Sequence, residues 1–244
     1  MIIEGNSVSE CWIGVLKALV DQRKKELSPL VIRINNTDER PDYADSLEAD
    51  LNDFLITNGH MEIESTAGTI FPQSLLSGSH SIFDRYKSIW KYVKKEKKNR
   101  RGTYFQRMVS FGDLNGDGIN QLQHIIETYN GIEGIRKPVH RRSALIATIF
   151  DPAIDHTPQP MLGFPCLQQV CFVPQGHHMS MNAVYAMQYV CSRAYGNYLG
   201  LMRLGNFMAD NMGLDFTHMN CMLSVIELQN MSKGKAKKFV EKYC

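Results

Sequence analysis

Three features of the 244-residue sequence predict an α/β (α+β) domain in which a mixed sheet carries helices on one face. Apolar stripes of helical period occur early and late, over residues 8–26 and 194–212. Apolar runs of strand length fall at 30–34, 143–150, 167–173 and 179–189. No repeat, low-complexity stretch or linker interrupts this order. Residues 1–244 therefore read as a single domain, long enough to bury a sizeable core.

Each element has its own signal. Over 8–26, Trp12, Val15, Leu16, Leu19 and Val20 form the stripe, with Ser7 or Ser9 as the cap. Pro29 closes that helix, and 30–34 reads as a short buried strand. A polar loop at 35–42 precedes a second helix, 43–56, which Asn58-Gly59 stops. Alternation over 60–70 predicts a strand, although Gly68 weakens it and 66–72 could instead open a helix or wall a pocket. Residues 79–93 form a third helix with Ile82, Tyr86, Ile89, Trp90 and Val93 on one face.

The basic run 94–101 reads as a solvated helix end, where cations suit the negative end of the dipole; contact with phosphate or nucleic acid is the alternative. Asp113-Leu114-Asn115-Gly116-Asp117-Gly118 opens like a calcium loop, but its twelfth position is His124 rather than a bidentate glutamate. It reads as a turn before a helix at 120–129. From 143 onward strands dominate. The 167–173 and 179–189 strands are joined by a hairpin at 174–178, with His177 and His178 as turn residues rather than metal ligands. Over 194–212, Tyr198, Leu201, Met202, Gly205, Met208 and Met212 share a stripe, and Gly213 is the stop. A further strand at 217–228 and a basic terminal helix at 233–242 complete the chain.

The net charge of +2 does not by itself imply a nucleic-acid partner. The six cysteines are scattered without metal-ligand spacing, so no metal site is expected. No signal sequence or membrane-length apolar run is visible, and a soluble, reduced, cytoplasmic protein is the simplest expectation.

The chemistry-bearing stretch is Phe164-Pro165-Cys166-Leu167-Gln168. Proline fixes an extended entry, so Cys166 stands at the mouth of a strand. Nearby cations lower a thiol's pKa, and Arg141 and Arg142 lie upstream, which makes Cys166 a candidate nucleophile. The alternative is a small buried hydrophobe, as most unpaired cysteines are.

Pro165-Cys166 followed by an apolar strand resembles the nucleophile segment of the thymidylate synthase family, which includes the pyrimidine-nucleotide hydroxymethylases. Lys137-Pro138-Val139-His140-Arg141-Arg142 resembles that family's Pro-x-Ser-Arg-Arg segment, and Phe150-Asp151-Pro152 its Trp-Asn-Pro. Tyr104-Phe105-Gln106-Arg107, Asn120-Gln121-Leu122 and Tyr195-Gly196-Asn197 follow the family's order as well. The resemblance spans residues 104–228 and rests on order and spacing.

It implies a homodimer with the second sheet face in the interface, and a pyrimidine nucleotide as ligand. Cys166 would add to C6 of the base, and C5 would then take a one-carbon unit, as a methyl- or hydroxymethyltransferase does. Arg141, Arg142, Arg107, Asn197 and Gln188 become the nucleotide- or phosphate-binding candidates, the first two across the dimer. A reduced folate, methylenetetrahydrofolate, would be the carrier. At 185–189, however, the arginine and the aspartate that serve phosphate and folate in the family are absent. Glu64 is the nearest candidate for the family's early glutamate, and Arg193 for the missing cation. The alternative reading is a catalytically degenerate homologue that binds a nucleotide or serves as a scaffold.

Overall fold

The computed structural model describes residues 1–22, 25–37, 39–77, 81–158, 165–229 and 231–244. The expected helix start at 79 and Phe164 lie outside the described residues. In chain order the elements are Ile2–Gly5 (β1), Val8–Asp21 (α1), Glu26–Leu27 (β2), Leu30–Asn35 (β3), Ala44–Thr57 (α2), Ile63–Gly68 (α3), Ile82–Val93 (α4), Tyr104–Val109 (α5) and Gln121–Asn130 (α6). There follow Ile146–Thr148 (β4), Pro152–Asp155 (α7), Leu167–Gln175 (β5), His178–Tyr185 (β6), Gln188–Tyr189 (β7), Tyr195–Met212 (α8), Asp215–Leu223 (β8), Ile226–Glu227 (β9) and Lys233–Tyr243 (α9).

The main sheet has six strands in the order β1-β3-β8-β6-β5-β4. It is mixed: β1 and β3 run parallel, as do β6 and β8, and the remaining pairs are antiparallel. A small second sheet, β2-β9-β7, sits beside it. One face of the main sheet carries the core, through Leu30, Ile32 and Ile34 of β3, Met179, Met181, Ala183 and Tyr185 of β6, and Met219, Cys221 and Leu223 of β8. Against this face pack α1 and α8.

The opposite face of the sheet carries two cross-strand rows. Ile2, Val31, Met222 and Val184 form an apolar row. Glu4, Arg33, Asn220, Asn182, Cys171 and Ile146 form a second, more polar one. Each of these side chains is half-buried or exposed.

Local chemistry explains the element ends. Ser7 caps α1 by accepting the Glu10 N–H at 3.1 Å, while Ser9 is buried against the Tyr195 hydroxyl at 2.7 Å. The helix stops at Asp21 rather than 26 because Glu26 and Leu27 pair with β9. The hairpin turn between β5 and β6 places Gly176 at φ 63°, and the stop after α8 places Gly213 at φ 66°, both conformations that favour glycine.

The loop at 113–118 is built as a turn: the Asp113 carboxylate accepts the N–H groups of Asn115 (2.9 Å) and Asp117 (3.0 Å). Those bonds hold its pKa below the usual carboxylate range. Asp117 is neutralised by Lys87, and the Asn115 side-chain oxygen Oδ1 accepts from Lys94, so these oxygens are turned to protein partners.

The expected strand at 60–70 is instead the short helix α3. Its reason lies on α8: a Cβ on Gly196 would sit 2.7 Å from the Ile63 carbonyl oxygen, and one on Gly200 2.7 Å from that of Ala67. The two helices thus meet at backbone distance, a contact that local alternation cannot report. The other expected strands are trimmed or divided. Residues 142–144 form a single 3₁₀ turn ahead of β4. The 179–189 run divides between β6 and β7, and 217–228 between β8 and β9. Each second piece joins the small sheet.

Gly205 lies so close to Phe216 that an added Cβ would come within 2.3 Å of the ring. Ordinary helix propensity would favour Gly205→Ala by about 0.5–1 kcal/mol, whereas overpacking costs about 1–3 kcal/mol. Overpacking wins, so Gly205→Ala is expected to lower the urea midpoint by a net loss of about 1 kcal/mol. An unchanged or raised midpoint would show that Phe216 moves aside freely.

Candidate functional site

The site begins with backbone. Pro165 is buried, and Cys166 emerges half-buried at the edge of β5. Its carbonyl accepts the Ala186 N–H at 2.9 Å, and the Gln168 side-chain amide bridges back to the Pro165 carbonyl at 2.6 Å. A register shift between Leu167 and Gln169 breaks the pairing at this point. The thiol is therefore held by an irregular strand end rather than by a regular ladder.

Three side chains share its electrostatic surroundings. Burial raises the Cys166 pKa, and the Arg193 guanidinium works against that rise. Arg193 is exposed, and the polar contact it makes is to the Met61 sulfur at 3.3 Å. Among the described residues it forms no ion pair. Tyr104, the first residue of α5, lies at the Cys166–Leu167 backbone; burial pushes its hydroxyl up to about 12, with the Cys166 thiolate as the next contributor. At neutral pH it is thus a protonated phenol that can donate a hydrogen bond. Tyr185, opposite Leu167 on β6, is fully buried and its hydroxyl has no partner among the described residues.

A second group surrounds the start of α8. Here the chain makes one turn of π-helix, Val190–Ala194, before the α-helix proper, a feature often found where a helix serves a site. Gln188 is buried; its side-chain oxygen accepts from Tyr198 at 2.6 Å, and its Nε2 has no partner among the described residues. Asn197, also buried, has an unpartnered Oδ1, and Thr66 on α3 an unpartnered hydroxyl. Leaving a buried polar group unmatched costs about 1–3 kcal/mol. Among the described residues four such atoms lie on Tyr185, Gln188, Asn197 and Thr66, and others on Gln106, Arg136 and Thr157.

The remaining expected site residues lie elsewhere. Arg107 is buried, and its guanidinium is engaged by Asp155 at 2.7 and 2.8 Å, by the Ile149 carbonyl at 3.1 Å and by the Arg101 carbonyl at 2.9 Å. It is a framework residue, and phosphate binding is not the task its contacts describe. Arg141 and Arg142 are exposed, and Arg142 donates to the Pro174 carbonyl at 3.1 Å, near the far end of β5 from Cys166. A strand rises about 3.3 Å per residue, which puts that anchor roughly 26 Å from the thiol within one chain. The cation beside Cys166 is instead Arg193. Glu64 forms an exposed bidentate pair with Arg203 at 2.7 and 2.9 Å.

Thr66 opens the 66–72 stretch that the sequence offers as a helix start or pocket wall, and Tyr104 opens the Tyr-Phe-Gln-Arg segment, whereas nothing local marks Tyr185. Among the described residues no cluster of three or more His, Cys, Asp or Glu side chains is placed to hold a metal ion. No helix of the described residues is long and apolar enough to cross a membrane. The sequence matches no protein-family model and no curated protein.

Because Arg193 lowers a thiol that burial raises, Arg193→Gln should shift Cys166 further upward and leave less thiolate at neutral pH. Alkylation of Cys166 by iodoacetamide at pH 7.5, followed by peptide mass spectrometry, should slow by several-fold in the variant. An equal or faster rate would show that Arg193 does not act on the sulfur.

Proposed function

We propose that this chain is a thymidylate-synthase-like protein that binds a pyrimidine nucleotide, with Cys166 as the nucleophile toward C6 of the base. The observation that carries this reading is the grouping of a half-buried thiol at a strand mouth with a cation that has no ion pair among the described residues, Arg193, and a protonated phenol, Tyr104.

In the proposed step the Cys166 thiolate forms a bond to C6, and the C5–C6 electron pair moves onto C5 and the adjoining carbonyl. Arg193 stabilises the thiolate before attack, and Tyr104 can hold a hydrogen bond to developing negative charge. C5, now nucleophilic, can take a proton from solvent or an electrophilic one-carbon unit from a donor that keeps the electron pair of the bond broken; loss of a C5 proton and expulsion of the thiolate restore the ring. The unmatched polar atoms of Gln188, Asn197 and Thr66 suit the edge of a base or a sugar hydroxyl.

The residues do not fit a folate in the family's manner. Over Tyr185-Ala186-Met187-Gln188-Tyr189, where the resemblance calls for the aspartate that serves folate, no carboxylate stands. No step is therefore routed through that carrier. A second reading, nucleotide binding without turnover, is favoured by the raised Cys166 pKa, since a thiol held protonated is a poor nucleophile.

A 5-fluoropyrimidine nucleoside monophosphate separates the two. The enzymatic reading expects a protein mass increased by one nucleotide, lost in Cys166→Ser. Ligand-induced thermal stabilisation without any adduct, persisting in Cys166→Ala, would establish the non-catalytic reading instead. Neither adduct nor stabilisation with any pyrimidine monophosphate sinks both.

The same proposal includes a homodimer through the open sheet face and a cytoplasmic location. Its support is the apolar row Ile2, Val31, Met222 and Val184, in which Ile2 is 71% and Met222 41% exposed. A dimer would also give Arg141 and Arg142 a route to a partner's site that their own chain denies them. Light scattering should report a dimer mass, converted to monomer by Val184→Arg with Met222→Arg. A monomeric wild-type protein at micromolar concentration would count against it.

A further inference from the structure

The chain's small net charge conceals a sharp asymmetry. Residues 91–101 hold seven of the 27 cations and one of the 25 anions, a local charge of +6 in a chain whose total is +2. The remainder of the protein therefore carries −4. A cation run can be a solvated helix end, but α4 stops at Val93 and only Lys91 lies in its last turn. Beyond Lys94, which caps that helix, the chain turns through a short 3₁₀ segment, Lys97–Asn99, and carries Lys95, Lys97, Lys98, Arg100 and Arg101 past the reach of its dipole.

None of the seven cations forms an ion pair among the described residues; Lys94 bonds the neutral Asn115 carbonyl. Elsewhere the protein does pair its cations, as at Arg40–Asp45, Lys87–Asp117, Arg203–Glu64 and Lys242–Asp50.

In the midst of this charge stands Tyr92, 59% exposed, with the Lys91 and Lys95 ammonium groups 5.0 and 5.5 Å from its ring centre. We infer that residues 91–101 form a docking surface for single-stranded nucleic acid, the cations following the phosphates and Tyr92 offering a ring on which a base stacks. Several unpaired cations exceed what one nucleotide phosphate requires, and an exposed aromatic among lysines is the pairing used for single strands. A membrane surface fits less well. The apolar side of α4, Ile82, Tyr86 and Trp90, is buried in the core, so no apolar face remains to enter a bilayer. The strip does not depend on the role of Cys166, although it ends three residues before Tyr104.

The test is fluorescence anisotropy with the full chain and a labelled oligothymidylate of about twenty nucleotides, a length that exceeds common single-strand footprints, at several salt concentrations. Wild type should bind with a clear salt dependence. Lys95→Gln/Lys97→Gln/Lys98→Gln, at three exposed positions, should weaken binding at least tenfold and reduce the salt slope by about 2, at roughly 0.7 per phosphate contact. Tyr92→Ala should weaken binding by about tenfold and leave the slope intact. A matched control on α9, Lys235→Gln/Lys237→Gln/Lys238→Gln, should change neither quantity.

Unchanged affinity and slope in the first variant would overturn the proposal, as would an equal loss in the α9 control. So would binding to vesicles rich in phosphatidylserine in place of the oligonucleotide. Circular dichroism melts of each variant confirm that a loss is not unfolding.

Discussion

The buried pair between Arg107 and Asp155 is the constraint from which the site's geometry follows. Asp155 is fully buried and Arg107 nearly so, and both carboxylate oxygens are used. Asp155 also accepts the Asp151 N–H at 2.9 Å, while the guanidinium reaches the carbonyls of Ile149 and Arg101. One ion pair thus joins α5, the end of β4, the short helix α7 and the segment leading into α5. Taking two charges out of water is expensive, and such a pair persists only because further hydrogen bonds satisfy it. Its consequence is positional. With α5 locked against the end of β4, Tyr104 at the head of that helix is carried to the Cys166–Leu167 backbone.

From there the sheet does the rest. Cys166 precedes β5, whose partner β6 brings Tyr185 opposite Leu167, and β6 leads through β7 and one π turn into α8. Three consecutive connections therefore deliver Tyr185, Gln188, Arg193 and Asn197 to one end of the sheet. The close approach of α3 to α8, permitted by Gly196 and Gly200, adds Thr66. Four of the buried polar atoms that lack a partner among the described residues lie on these elements, on Tyr185, Gln188, Asn197 and Thr66, while the others lie elsewhere, on Gln106, Arg136 and Thr157.

Much of this was legible in the sequence, and the failures have physical causes. The stripes of α1 and α8, the β5–β6 hairpin and the stop at Gly213 could be read because each depends on neighbours close in sequence. The helix α3 could not, since its reason is a contact with glycines more than a hundred residues away. The two-residue strands of the small sheet carry too short a pattern to announce themselves. In sequence Arg107 reads as a phosphate ligand because a sequence shows a cation without its anion, and Asp155 lies 48 residues further on. Arg193 reads there as no more than a substitute, yet it is the cation whose charge reaches the sulfur.

The thiol itself sets two opposing demands. Burial shields Cys166 from solvent and keeps it protonated, while reaction needs the thiolate. Arg193 is exposed and, among the described residues, bonds to a thioether, so its charge is partly dissipated in water. A bound anionic ligand that covered Arg193 would exclude that water and strengthen every interaction inside the site, but its own negative charge would also oppose ionisation of the sulfur. On the proposed nucleotide-binding reading, activation would therefore require the phosphate to lie on the far side of the guanidinium from the sulfur. That condition would favour a nucleotide, whose phosphate and base are separated by a sugar, over a free base, which would leave Arg193 in water.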